Sequence, residues 1–332
     1  MTNRVLVAAF LLLFSAGHRR KEDAPPPPRR VLNVSGSSRL DVPFFAAFGH
    51  PMSDDRGNLY FRAATRSYNN STLIGISRKS SQPKFLTLPD EFAQKTAFES
   101  FFVTPSGSVY VVAYTADHTR IVFEFNSDGE ATRHTTLASP PDVFVDSVAV
   151  FEDGNFFVSG YHGSSAPPHL KGRPFVAIFD TSGTLIREFR NSEIPVTGNL
   201  GESSSTTAPA ELWSCLGSDG NLYFLAVDQI LVISESSGIV RRIKFMKPDK
   251  SAFAVKVEIS DGLAAVWLVN IGSDQSSSLQ LLTIDLDKGR PLALYSPSNE
   301  LGDNAVSFSR TEGFVFMQNK DNKIVLLTAP LT

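Results

Sequence analysis

Cysteine is almost missing from this sequence, in which Cys215 is the single residue of its type among 332. One cysteine excludes an intramolecular disulfide framework and any zinc site built from several thiolates. Cys215 lies in the apolar run Leu212-Trp213-Ser214-Cys215-Leu216. We therefore expect it to be a small buried hydrophobe rather than a reactive thiol.

An excess of positive charge is also missing, because 31 Lys and Arg stand against 34 Asp and Glu, for a net charge of −3. Basic residues cluster only at Arg19-Arg20-Lys21 and Arg29-Arg30, close to the start. Such a chain has no bulk positive field to attract nucleic acid or anionic lipid. The sequence thus predicts no nucleic-acid partner.

Local catalytic signatures are missing as well. The sequence has no G-x-S-x-G elbow, no H-E-x-x-H helix, no P-loop and no G-x-G-x-x-G turn. No motif therefore assigns the chain to a hydrolase, metalloprotease or nucleotide-binding class. Its function must be approached through the fold.

No apolar run is long enough for a membrane-spanning helix. Arg4 precedes the apolar stretch Val5–Phe14 and the small residues Ser15-Ala16-Gly17, a pattern typical of an export signal. Val5 to Gly17 is 13 residues, short of the ~20 that span a bilayer. We predict a signal peptide at 1–17, which could alternatively be retained as an anchor, and a secreted or periplasmic chain without an integral membrane segment.

After this signal the sequence predicts two further regions. Residues 18–29 contain the prolines Pro25 to Pro28 and form a Pro-rich linker. Residues 30–332 form one domain, a size that large all-β folds reach.

A glycine turn between two β-prone runs recurs along the chain. Clear copies are Asp55-Arg56-Gly57-Asn58-Leu59-Tyr60-Phe61 and Ser218-Asp219-Gly220-Asn221-Leu222-Tyr223-Phe224. The turn glycines fall at positions 57, 107, 154, 220, 262 and 313, with gaps of 50, 47, 66, 42 and 51. Asp-Gly or Ser-Gly between apolar runs is a hairpin signal, because glycine tolerates positive φ.

A second series of turn glycines follows the same rhythm. Examples are Ile178-Phe179-Asp180-Thr181-Ser182-Gly183 and Val232-Ile233-Ser234-Glu235-Ser236-Ser237-Gly238. Glycines 129, 183, 238 and 289 are 54, 55 and 51 residues apart. Two hairpins per unit predict four strands, A to D, and four-stranded units at this period are typical of propeller blades.

The sequence therefore predicts an all-β six-bladed β-propeller of four-stranded antiparallel blades. The paired turns resemble the six-bladed β-propeller superfamily, in particular its NHL and TolB-like members, over about residues 30–330. The resemblance implies a blade scaffold and no particular activity, because such propellers include lyases, lactonases, receptors and binding modules.

Strand closure can also be predicted. The last unit supplies three strands, and Arg30-Val31-Leu32-Asn33-Val34 is a strand-like segment ahead of the first blade. We expect this N-terminal segment to complete the last blade from outside and so remove an exposed edge.

Strand alternation places both glycine-turn series on one face and every long connection on the other. Two long connections, Tyr161–Arg173 and Glu193–Ala210, emerge on that second face. Loops on a rigid scaffold are where binding usually resides. The alternative is that they are tolerated surface insertions.

Aromatic, histidine and arginine side chains mark the same face. The candidate binding residues are Tyr114, His118, Tyr161, His162, His169 and Arg173. They could form a hydrogen-bonding aromatic surface, or they could be ordinary solvent-facing loop residues.

Three carboxylates are candidate metal ligands. Glu99, Asp146 and Glu211 stand eight, eight and nine residues before the glycine of their blade, so we expect them near the mouth of the central channel. Such a group could hold a divalent cation or contact a basic partner, or it could be a set of solvated strand ends. The sequence requires no cofactor beyond this possible divalent cation.

Three hypotheses for the function remain. The first is an exported, non-enzymatic binding or scaffold propeller that presents its long-loop face to a protein, peptide or glycan. The second is a metal-dependent lyase or lactonase-type enzyme that acts at the central channel. The third is a purely structural envelope component.

Overall fold

The structure is a computed structural model that describes residues 26–43, 47–63, 72–77, 83–93, 96–126, 128–163, 174–190, 192–194, 213–248, 252–271, 277–321 and 323–331. In these ranges the chain forms strands and one four-residue helix, α1 (Asp90–Ala93). No helix in these ranges has the length and hydrophobicity needed to cross a membrane. The signal-peptide prediction lies outside the described residues.

Six antiparallel blades follow one another along the chain. An N-terminal strand, β1 (Arg29–Leu32), and a second, β2 (Gly36–Pro43), precede them. Blade 1 comprises β3 (Ala47–Ser53), β4 (Leu59–Ala63), β5 (Thr72–Ile76) and β6 (Pro83–Leu86). Blade 2 comprises β7 (Thr96–Val103), β8 (Val109–Thr115), β9 (Arg120–Phe125) and β10 (Ala131–Leu137).

The remaining blades repeat this order. Blade 3 comprises β11 (Val143–Val150), β12 (Phe156–His162), β13 (Pro174–Phe179) and β14 (Leu185–Glu188). Blade 4 comprises β15 (Trp213–Leu216), β16 (Leu222–Ala226), β17 (Gln229–Ser234) and β18 (Gly238–Lys244). Blade 5 comprises β19 (Phe253–Ser260), β20 (Leu263–Ile271), β21 (Ser277–Asp285) and β22 (Arg290–Pro297). Blade 6 comprises β23 (Ala305–Ser309), β24 (Gly313–Lys320), β25 (Lys323–Ala329) and β2.

The innermost strands close into a ring. β3, β7, β11, β15, β19 and β23 contact one another in that order, and β23 returns to β3. This cyclic contact between the first strands of all six blades confirms the six-bladed propeller.

Burial along each blade explains the hydrophobic pattern. The middle strands lie between neighbouring blades and are covered on both faces, so β13 and β16 are buried at every position. The sequence of a strand that is covered on both faces is a continuous apolar run. The outer strand β14 is mostly exposed, with Ile186 at 56%. Cys215, at 9% exposure, is buried as predicted.

The N-terminal segment closes the last blade, but with different residues from those predicted. β1, which holds most of the Arg30–Val34 segment, pairs in parallel with β22 and adds a fifth strand to blade 5. The outer strand of blade 6 is instead β2, which pairs antiparallel with β25.

The polar composition of β2 explains why the sequence did not single it out. Its residues Ser37, Ser38 and Arg39 are exposed, since an outer strand has solvent on one side. Leu40, at 8% exposure, packs into the core beside Ile324 and Leu326. The backbone ladder to β25 therefore forms with little apolar sequence signal.

The turn glycines adopt the conformation that the spacing predicted. All ten have positive φ, as at Gly183 with φ 87°. Gly183 also needs a hydrogen in place of a side chain, because a Cβ there would lie 2.0 Å from the Thr136 carbonyl oxygen of blade 2. This turn brings blades 2 and 3 into direct backbone contact, with Ala138 N donating to Gly183 O at 2.8 Å.

Candidate functional site

The propeller has two unlike faces. The A–B and C–D turns, such as 104–108 and 126–130, lie on one face, which we call the turn face. The B–C and D–A connections, such as 116–119 and 138–142, lie on the other, which we call the connection face. This arrangement agrees with the predicted alternation.

Much of the two long connections lies outside the described residues. This includes His169 and Arg173 in the first connection and residues 195–210 of the second. The structure therefore places only part of the predicted binding set.

Three side chains lie together at the boundary of blades 2 and 3 on the connection face. Tyr114 lies near the end of β8, His118 lies in the connection 116–119, and Phe144 lies at the start of β11. We call Tyr114, His118 and Phe144 the histidine–aromatic surface. Tyr114 and His118 were predicted from the sequence as binding residues, and Phe144 was not. His162, which was also predicted, packs edge-on against Phe175 of its own blade instead, with ring centroids 5.5 Å apart.

Phe144 is exposed yet held in place. Its side chain is 44% exposed. Its ring lies so close to Gly163 that a Cβ at Gly163 would be 2.2 Å from a ring carbon. The His118 ring packs edge-on against it, with centroids 6.3 Å apart.

The turn at His118 fixes the position of its ring. His118 has φ 66°, a left-handed conformation that histidine adopts more readily than most residues. The Thr115 backbone N–H donates to Thr119 O at 3.0 Å and closes the turn. The Asp117 carboxylate accepts from the Thr119 backbone N–H at 3.3 Å. Hydrogen bonds from the Thr115 hydroxyl and from Thr119 lower the pKa of Asp117.

A buried cation supports the histidine–aromatic surface from below. Arg120 is 1% exposed, and its guanidinium lies 5.5 Å from the centroid of the Phe144 ring and 6.0 Å from that of Tyr114. Its Nη1 donates to the carbonyls of His118 and Pro141. Arginine stacked on aromatic faces adds a cation–π attraction to the packing.

The partner of this arginine is Glu99, one of the predicted metal ligands. Glu99 Oε2 lies 3.6 Å from Arg120 Nε, and Glu99 Oε1 accepts from the backbone N–H of Val145 at 3.0 Å. Its side chain is 10% exposed and ties blade 2 to blade 3. The structure thus places Glu99 in an inter-blade contact.

The other predicted carboxylates are placed only in part. Asp146 occupies the unpaired position of the β-bulge in β11, equivalent to Glu99 in β7, and its side chain lies outside the described residues. Glu211 lies outside them altogether. Where side chains are described, no three His, Cys, Asp or Glu residues form a cluster that could hold a metal ion.

Two further predicted binding residues differ in exposure. His162 is half-buried, and its Nδ1 lies 3.1 Å from Asp142 Oδ2. Tyr161 is 7% exposed, so it lies in the core beneath the connection face rather than on it.

An ion pair that the sequence analysis did not single out lies at the centre of the ring. Lys256 is fully buried, and its Nζ donates to the carbonyls of Pro51 at 2.6 Å and Val306 at 2.7 Å. It also lies 2.7 Å from Glu258 Oε1. Burial lowers the pKa of Lys256, and the Glu258 carboxylate opposes that shift.

The sequence did carry a signal for this pair. In Ala254-Val255-Lys256-Val257-Glu258-Ile259 two opposite charges are separated by one apolar residue. In a strand such residues share a face, so they can pair with each other when that face is buried. Phe144 and Arg120 had no such local signal, because they meet only when blades 2 and 3 pack.

Comparisons with known proteins extend over most of the chain. The luciferin-regenerating enzyme has a TM-score of 0.51 and 8% identity, covering 90% of this chain and 97% of that chain. A protein of unknown function from Bacteroides caccae has a TM-score of 0.48 and 14% identity, covering 76% and 82%. The PQQ domain of pyranose dehydrogenase from Coprinopsis cinerea has a TM-score of 0.44 and 12% identity, covering 91% and 98%.

These likenesses concern the fold alone. The first of them, above a TM-score of 0.5, agrees with the propeller architecture over nine-tenths of the chain. The chain matches no protein-family model and no curated protein sequence.

Proposed function

We propose that the chain is an exported binding protein that presents its connection face to a protein, peptide or glycan. The observation that carries the proposal is the exposed and immobilised ring of Phe144, flanked by His118 and underlain by Arg120. An aromatic ring already fixed by its neighbours loses little conformational freedom on binding. Aromatic and arginine side chains also dominate the energetics of known interfaces.

The surroundings of Phe144 favour a ligand with both apolar and polar groups. Tyr114 and His118 offer hydrogen-bonding groups beside the ring. A peptide or a sugar presents this mixture, with an apolar face for the ring and polar groups for its rim. The long connections that emerge on the same face would extend the contact.

A ligand search with a matched control tests this proposal. The full mature chain is applied to a displayed peptide library and to a glycan array, and enriched ligands are retested on Phe144→Ala. We expect ΔΔG of about 2 kcal/mol or more for a central aromatic contact. Phe85→Ala is the control, since Phe85 is 50% exposed on the outer strand of blade 1. Ligands that bind the Phe144→Ala and Phe85→Ala variants equally well would refute a binding site at Phe144.

We also propose that the chain is exported and that it is an NHL- or TolB-like propeller. Export rests on the charged and apolar pattern of residues 1–17. In a bacterial host we expect a mature chain that begins near His18 and lies outside the cytoplasm. N-terminal sequencing that finds Met1 on membrane-bound protein would favour a retained anchor instead.

The alternative of a metal-dependent lyase or lactonase stays a prediction. It would require Glu99 to exchange the Arg120 contact for a cation, together with Asp146 and Glu211. Metal analysis of the purified protein tests it directly. One stoichiometric divalent ion, lost in a Glu99→Ala/Glu211→Ala variant, would favour the enzyme.

A further inference from the structure

Blade 4 ends in an open sheet edge whose counterpart in blade 5 is covered. The strand order of blade 4 is β15-β16-β17-β18, so among the described residues β18 has a strand partner on one side only. The outer strand of blade 5, β22, carries β1 on its outer side, paired in parallel. A blade of this propeller can therefore accept a fifth strand.

The backbone of β18 is arranged like that of β22. Both strands have a β-bulge in their pairing with the preceding strand. Counted from the bulge, Arg242 is equivalent to Leu294, whose N–H donates to the Pro28 carbonyl of the added segment at 2.9 Å. The Phe245 N–H points inward and donates at 3.0 Å to the residue before β17. Because N–H groups alternate in direction along a strand, those of Arg242 and Lys244 face the open edge.

This edge carries an excess of positive charge. Positions 238 to 247 contain no Asp or Glu and four basic residues, Arg241, Arg242, Lys244 and Lys247. The first three of these are exposed. Arg241 and Arg242 donate to the backbone carbonyls of Asp287 and Glu193. Their charges are therefore not neutralised by these contacts.

The surroundings of β18 do not change this balance. The Glu193 carboxylate is already paired with Arg187 at 2.8 Å. β10, an outer strand of the same length, contains a single Lys or Arg, Arg133, and the outer strands β6 and β14 have four residues each. The charge is thus a feature of blade 4 and not of the outer strands in general.

Exposed apolar side chains accompany the cations. Val240 is 51% exposed and Met246, just beyond β18, is 58% exposed. Positive charge on an edge strand commonly protects a sheet from pairing with other strands. An edge that is only protected gains nothing from exposed apolar side chains, whereas an edge that a partner covers does.

The charge decides which strand can cover this edge. Pairing β18 with the same strand of a second copy would bring two sets of four cations together, and like charges on facing strands are destabilising. An acidic strand has the complementary charge. Strand addition supplies affinity through main-chain hydrogen bonds and specificity through alternate side chains.

We propose that β18 binds an extended acidic segment of a partner protein as a fifth strand of blade 4. The backbone of the segment pairs with the outward groups of Arg242 and Lys244, and its carboxylates face the basic side chains. Its apolar residues cover Val240 and Met246. The site lies on the outer wall of blade 4, so it does not depend on the ligand proposed for Phe144.

A peptide of alternating Glu and Val, as long as β18, tests this site on the full mature chain. Fluorescence anisotropy of the labelled peptide should show binding that weakens as salt is added. A peptide of alternating Lys and Val should not bind. With carbon-13 in the peptide carbonyls, the infrared amide band of the bound acidic peptide should move to the position of a β-sheet.

Three variants locate the binding. Lys244→Glu should weaken the acidic peptide by about fivefold or more, because an exposed attraction becomes a repulsion. Lys320→Glu makes the same change of net charge at an exposed position of blade 6 and should bind as the parent does. Phe144→Ala should also bind as the parent does, which separates this site from the connection face.

Several results would overturn the proposal. They are absence of peptide binding to the parent, an equal loss in Lys244→Glu and Lys320→Glu, or a bound peptide without the β-sheet band. A parent chain that forms dimers through β18, or that binds phosphatidylglycerol vesicles but not the peptide, would assign the edge to a different occupant and contradict the proposal as well.

Discussion

The Lys256 ammonium and the Glu258 carboxylate form a 2.7 Å ion pair at the centre of the propeller, with side-chain exposures of 0% and 12%. Each partner also reaches neighbouring strands. Lys256 donates to carbonyls of β3 and β23, and Glu258 Oε2 accepts from the backbone N–H of Phe308 at 2.6 Å. The Trp267 and Trp213 rings lie 4.8 and 5.3 Å from the ammonium. This pair therefore connects blade 5 to blades 1, 4 and 6.

Removing one partner of this pair should be strongly destabilising. Lys256→Met leaves Glu258 buried without its cation, and we expect a loss of about 3–5 kcal/mol in the free energy of unfolding. Lys256→Met/Glu258→Leu should recover part of that loss, because neither charge then remains unpaired. Chemical denaturation of the parent, of the single variants Lys256→Met and Glu258→Leu, and of the double variant measures the coupling.

An exposed ion pair gives the matched control. Lys288 lies 3.3 Å from Asp285, and its side chain is 62% exposed. Lys288→Met should cost less than about 1 kcal/mol, as surface pairs do. Equal losses for Lys256→Met and Lys288→Met would show that the central pair has no special role in stability.

Two glycine turns should differ in their tolerance of alanine. At Gly262 φ is 76° and a Cβ would have nothing within 4 Å, so Gly262→Ala should cost only the backbone strain, about 1–2 kcal/mol. At Gly183 the same strain adds to a contact of 2.0 Å with the Thr136 carbonyl. Gly183→Ala must push blades 2 and 3 apart and should lower the melting temperature considerably more. A similar effect of both substitutions would contradict the close inter-blade contact.

These turns also show what the sequence could predict. Glycine spacing alone predicted the blade number, the strand order and the positive φ at positions such as Gly107 and Gly220, because local turn chemistry decides them. Contacts between segments that lie far apart in the sequence could not be predicted from local turn chemistry. Lys256 and Pro51 are 205 residues apart, and the Glu99–Arg120 pair depends on a β-bulge at Glu99 that has no sequence signature.

The N-terminal strands illustrate the same limit. Apolar Val31 and Leu32 predicted a strand, and the structure has one there. Which sheet it joins depends on the outer edges of blades 5 and 6, which are both available to it. The polar segment Ser37–Arg39 completes blade 6 through backbone hydrogen bonds, which amino-acid composition does not record.

Truncation should separate the roles of β1 and β2. A chain that begins at Ser35 lacks β1 and the buried Leu32, and should lose about 1.5–3 kcal/mol, the burial energy of one large apolar side chain. A chain that begins at Ala47 also lacks β2, which leaves β25 as an open edge. We expect it to melt far lower or to aggregate. Thermal unfolding of both chains checks this order, which would be wrong if the two truncations had equal effects.

A carboxyl pair between blades 3 and 4 should make stability depend on pH. Glu235 and Asp153 share a hydrogen bond that raises the pKa of Glu235 above its ordinary value of 4.5, and burial adds to the shift. The folded state then holds the proton more tightly than the unfolded state does. The stability gained from this proton is therefore lost as the pH rises through the raised pKa.

Glu235→Gln should remove that dependence. Its amide can donate to Asp153 at every pH, so we expect the melting temperature of the variant to equal or exceed that of the parent near neutral pH. Well below pH 4.5, where Glu235 is protonated in both states of the parent, the two proteins should differ least. Glu152→Gln, which changes a neighbouring exposed carboxyl, is the control and should keep the parent's slope. Melting curves recorded from below pH 4.5 to neutral pH test this prediction. If the melting temperatures of Glu235→Gln and the parent have the same pH dependence, the carboxyl pair does not share a proton.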